Sequence, residues 1–125
     1  TSSPAKELAD KQRDLVDTAK TGDSRKIVGA TLRFLEQAIL VHAGLNVRGL
    51  LADERQEALE SAAIFSEDAA RLCELLLRCE QDRFAPEPPD LQTVREASEE
   101  AIRLVGRISK TAKPRRTKKT AEALR

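Results

Sequence analysis

Between Ile27 and Leu45 only five of nineteen residues are polar: Thr31, Arg33, Glu36, Gln37 and His42. Ile27, Thr31, Phe34, Ala38, Val41 and Leu45 recur at alternating steps of four and three, the spacing of one helix face. Val28, Leu32, Leu35 and Ile39 widen that face, which leaves Arg33, Glu36 and Gln37 on a narrow remainder. A helix this apolar has to be covered on nearly every side. It is either the centre of a helical bundle or part of an oligomer interface, and on the second reading Phe34, Leu35, Ile39 and Val41 are the candidate interface residues. The cover has to be aliphatic, because the chain has three Phe and no Tyr, Trp or Met. Val and Ile are scattered among Ala, Leu, Glu and Arg without an alternating run, which favours helix over strand.

The flanking sequence supplies further helices. Ser3 with Pro4 reads as an N-cap and first helical residue, opening a helix near 4–20 whose apolar stripe (Ala5, Leu8, Leu15, Ala19) is thin. Thr21-Gly22-Asp23-Ser24 gives a stop and a new cap, so the apolar helix is expected near 24–45. Gly44 and Gly49 bracket a connection, and Asp53-Glu54-Arg55-Gln56 reads as a capping box for a helix near 53–83. Along it Ala58, Ala62, Phe65, Ala69, Leu72, Leu76 and Cys79 form an unbroken heptad stripe, which predicts burial of Phe65 and Leu72 and leaves Glu67 off the seam. Pro86, Pro88 and Pro89 end that helix and make a stiff connector. Asp90 caps a helix near 90–110 with Leu91, Val94, Ala97, Ala101, Ile102, Leu104, Val105 and Ile108 on its apolar side. The expectation is an all-α, single-domain antiparallel bundle of four helices over residues 1–110, with a three-helix core and a loose first helix as the alternative.

Charge divides the chain. Thr1 to Ser109 carries 15 Lys/Arg against 20 Asp/Glu, whereas Lys110 to Arg125 carries seven cations against Glu122 alone. Residues 111–125 therefore read as a flexible basic tail, in which Lys110, Lys113, Arg115, Arg116, Lys118, Lys119 and Arg125 are the candidate nucleic-acid-binding residues. Such a cluster neutralises phosphates without choosing a sequence, and with no interleaved aromatics it offers no stacking on single-stranded bases.

Catalytic patterns are missing. His42 is the one histidine and has no second histidine or cysteine pair beside it, so a packing role is preferred to a metal or general-base role. A di-iron bundle needs two Glu-x-x-His pairs, and a single histidine cannot supply them. The carboxylates at helical spacing (Asp53, Glu57, Glu60; Glu67, Glu74; Glu96, Glu99, Glu100) read as a wet acidic surface. No phosphate-cradling glycine loop or nucleophile elbow occurs. Cys73 and Cys79 lie six residues apart, about 600° of turn and 9 Å of rise, so they read as free thiols of a reducing compartment. No run of 18 uncharged residues predicts a membrane span, and the first residues lack a signal-peptide core.

The sequence therefore reads as a cytoplasmic protein, or a nuclear one in a eukaryote, with no enzymatic site, no metal and no cofactor. The leading function is a non-catalytic assembly subunit. It is expected to meet a second copy or another protein through helix two, with the tail adding weak DNA or RNA binding. A protein-only adaptor or chaperone is the alternative, and a metal-binding or enzymatic bundle ranks third.

Overall fold

The computed structural model describes the backbone of residues 3–123 and the side chains of residues 3–110. All regular structure among them is helical. Five α-helices follow one another, α1 (Pro4–Ala19), α2 (Ser24–Ala43), α3 (Arg55–Ser61), α4 (Ser66–Arg83) and α5 (Leu91–Ala123), and two single 3-10 turns, Val47–Gly49 and Ala52–Glu54, lie between α2 and α3. The helical backbone of α5 thus continues beyond Lys110, where the sequence places its end. The expected basic tail, read as flexible, falls on side chains outside the described residues, apart from Lys110.

The helix starts follow the local chemistry. The Ser3 hydroxyl accepts the Lys6 N–H at 3.1 Å, the Asp23 carboxylate accepts that of Lys26 at 3.2 Å, and Asp90 accepts that of Thr93 at 2.9 Å. The last of these bonds, together with one from the Thr93 hydroxyl, holds the Asp90 carboxyl below the usual carboxylate range. α2 ends at Gly44, whose φ of 69° is left-handed and whose N–H returns to the Leu40 carbonyl. The expected Asp53 capping box is displaced by two residues: Glu54 reaches back to the Leu51 N–H at 3.0 Å, and so caps the 3-10 turn that leads into α3.

The single third helix predicted over 53–83 is two helices. Ile64 N–H bonds the Leu59 carbonyl at 3.1 Å and Ala63 N–H bonds that of Glu60 at 3.0 Å, the paired bonds of a Schellman stop. Ala63 takes the left-handed position with φ 72°. Ile64 and Leu59, the two residues that touch across such a stop, are both buried. The turn resets the helical phase, so the heptad stripe is valid only in its second half. Ala69, Leu72, Leu76 and Cys79 are buried, but Phe65 stands 63% exposed as the residue before α4.

α2 occupies the centre and packs on α1, α4 and α5. Phe34, Leu35 and Ile39, assigned from the sequence to a candidate interface, are buried inside this chain, and Val41 is half-buried. Most of the apolar surface of helix two is covered by its own neighbours, so Phe34, Leu35 and Ile39 are core residues of this chain, while Leu40 is exposed. α1 contributes Leu15, fully buried, with Leu8 packed at the margin. Asp68 faces Arg107 and Arg71 faces Glu100, an order that makes α4 and α5 antiparallel.

Candidate functional site

The arginines of the helical body are largely committed to structural bonds. Arg55, at the start of α3, forms a two-pronged pair with Glu80 of α4 at 2.9 and 2.8 Å; its side chain is only 7% exposed, and its Nε has no acceptor. Arg107 places Nε and Nη2 on one oxygen of the buried Asp68 at 3.0 and 2.7 Å. Arg71 grips Glu100 through both ends of its guanidinium and also reaches Glu74 at 2.9 Å. Arg95 donates to the carbonyls of Ala19 and Thr21, both at 2.9 Å, where the C-terminal end of α1 favours a cation. Arg48 holds Glu36, and Arg25 holds the Pro86 carbonyl. Guanidinium groups tied in this way are not available to phosphates without breaking a bond that holds two elements together. Arg103 is exposed.

Of the candidate nucleic-acid-binding residues only Lys110 has a described side chain, and it is exposed on α5. Lys113, Arg115, Arg116, Lys118, Lys119 and Arg125 lie outside the described side chains.

The thiols are both free. Burial pushes Cys79 up to about 12, and Cys73, half-buried, is raised for the same reason, so neither is held as a thiolate. His42 is half-buried at the end of α2, and burial lowers its pKa. Among the described residues no three His, Cys, Asp or Glu side chains converge as a metal site would require. No helix among them is long and apolar enough to cross a membrane.

Several concavities are lined by the described residues. A void of about 10 Å³ between α2, α4 and α5 touches Thr31 and Cys79, at the lower limit for one water. An open groove of about 280 Å³ beside α1 and α2 is lined by Lys11, Arg33, Gln37 and Leu40. A wider hollow of about 560 Å³ at the start of α4 is bounded by Phe65, Ser66, Glu67, Asp68 and Arg107. The residues that sequence reasoning missed are the outward-facing apolar ones. Phe84 is 78% exposed, with Arg83 stacked on its ring at 5.6 Å, and Leu51 and Phe65 are exposed as well. Phe84 follows directly on the last residue of α4, and its place before the proline run was the available signal. No protein-family model, curated protein or solved structure matches this chain.

Proposed function

We propose that the protein is a non-catalytic assembly subunit of the cytoplasm, a helical bundle for protein contact with a basic C-terminal segment for weak, sequence-independent binding of nucleic acid. The observation that carries this reading is the commitment of Arg48, Arg55, Arg95 and Arg107 to carboxylates and carbonyls of the body. With those cations used internally and the body acidic in total, phosphate binding falls to the cluster from Lys110 to Arg125. Protein contact is assigned to the exposed apolar side chains Leu51, Phe65 and Phe84, and on helix two to the exposed Leu40 in place of the buried Phe34, Leu35 and Ile39. Those same side chains favour the second reading, a protein-only adaptor, in which the basic segment has no nucleic-acid role.

Fluorescence anisotropy of labelled duplex and single-stranded oligonucleotides separates the two. Binding at low salt that is lost when Arg115, Arg116, Lys118 and Lys119 become Gln supports the first. No binding by the full-length protein at low salt leaves the adaptor. Binding that survives the substitutions moves the site to the helical body, with Arg103 as the first residue to test.

A further inference from the structure

The cleft holding His42 lies between α2, α4 and α5, and its walls are Ala38, Ile39, Ile64, Leu72, Val105 and Ile108, all of them aliphatic. A neutral imidazole is tolerated in such a place. An imidazolium is disfavoured, because the half-buried ring gives up part of its water and meets no carboxylate among those walls. The charged groups of the surrounding elements are otherwise engaged or exposed. On α4 the carboxylate of Asp68, one turn before Leu72, is taken by Arg107, which neighbours Ile108 on α5. Lys110 on α5 is exposed, and Ala62, Ala63, Ile64 and Phe65 carry no ionisable side chain. The carbonyls in the last turn of α2 favour a cation, but one of them, that of Leu40, is already used by the Gly44 N–H.

One wall of this cleft directly follows a left-handed residue of the backbone. Ile64 is 4% exposed and closes the cleft from the turn between α3 and α4, yet it follows Ala63, the one non-glycine residue with positive φ among the described residues, and precedes the solvent-facing Phe65. A left-handed alanine gives up stability that its surroundings must supply. Here those surroundings are the Ile64 N–H bond to Leu59 and the seating of Ile64 among the cleft's side chains.

We propose that His42 makes the 62–65 turn a proton-operated latch, closed with Ile64 seated while the imidazole is neutral, and opened when protonation draws the ring toward water. Opening would add Ile64 to the apolar surface already offered by Phe65. The sign follows from burial. The closed form binds its proton more weakly than the open form, so opening becomes easier as pH falls below the ordinary histidine value near 6.5 and levels off once closed molecules are protonated too. Each unit between the two pKa values multiplies the opening equilibrium by about ten.

The test is amide hydrogen exchange on the full chain between pH 7.5 and 5, corrected for the intrinsic pH dependence, together with the imidazole C–H titration by NMR. Protection of the Ile64 amide should fall severalfold across that range, while amides of Leu35 and Leu104 hold theirs, and the ring should titrate below 6.5. His42→Leu, which fits the aliphatic walls and cannot titrate, should make Ile64 protection independent of pH. A ring midpoint at or above 6.5, unchanged Ile64 protection in the native chain, or pH dependence that persists in His42→Leu overturns the latch. The first two readings do not depend on the variant folding.

Discussion

Ala63 and Phe65 show how much one backbone angle decides. An L-residue at φ 72° places its Cβ close to the following carbonyl, at a cost of about 1–2 kcal/mol, and glycine removes the clash. Glycine also loses more freedom on folding, which offsets part of that relief. Ala63→Gly is therefore expected to raise the unfolding free energy by about 0.5–1 kcal/mol, measured by urea denaturation at neutral pH; a loss of stability would mean that the turn is not left-handed in solution. The same turn separates two residues that occupy equivalent heptad positions in the sequence. Leu72 is 1% exposed and should cost about 2–5 kcal/mol on truncation to Ala. Phe65, facing solvent, should cost under about 1 kcal/mol, despite being the larger side chain. Chemical denaturation of the two variants side by side decides between this ordering and a continuous seam, which demands that Phe65→Ala be at least as damaging as Leu72→Ala.

Among elements, the contact between α4 and α5 is the one most visibly set by charge. The Arg71 guanidinium beside Glu100 holds that carboxyl below its ordinary value of 4.5. A carboxyl depressed by folding stabilises the native state above its unfolded pKa, and the contribution drains away as pH falls through the folded value. Stability should thus decline below about pH 4.5, with Glu100→Gln flattening the part of that decline that belongs to this pair. Thermal melts of both proteins from pH 6 to 3 make the comparison. If the two curves stay parallel throughout, the pair is not formed in solution. The pairings themselves were not legible in the sequence, because which arginine meets which carboxylate depends on how helices lie against each other. Helix starts were legible where a short polar side chain caps them, as at Ser3, Asp23 and Asp90, and Gly44 announced the end of α2. The stop at Ala63 was hidden for a physical reason. A Schellman turn made without glycine leaves no mark in composition, and the apolar spacing on either side of it happens to join into one periodic stripe. The same limit hid the candidate site: an apolar pattern shows that α2 must be covered, not by what, and the burial of Phe34, Leu35 and Ile39 within this chain is visible only in three dimensions.

At the scale of the whole molecule, charge is partitioned between a body of 15 cations and 20 acids up to Ser109 and a terminal stretch of seven cations with one acid. Within the body, the described arginines mostly neutralise carboxylates at bonding distance, so its outer field is set by the unmatched acids and repels a phosphate backbone. The terminal cations carry no such balance in the sequence. Binding of a duplex by that stretch releases one counterion population per neutralised phosphate, and the slope of log K against log salt is about −0.9 for each. Engagement of four or five cations predicts a slope near −4, by the same relation. Replacing Arg115, Arg116, Lys118 and Lys119 with Gln keeps the chain length and should lower affinity at low salt below detection. The melting temperature of the substituted protein, followed by circular dichroism, should match that of the parent, which separates lost binding from lost folding. Because the cluster has no aromatic residue, single-stranded and duplex probes should differ little beyond the shallower slope of about −0.7 per contact for single strands. A steep slope that persists in the Gln variant places the contact on the helical body. A shallow slope in the parent means that hydrogen bonds or apolar contacts, and not counterion release, hold the nucleic acid, and either result overturns the partition of labour drawn from the charges.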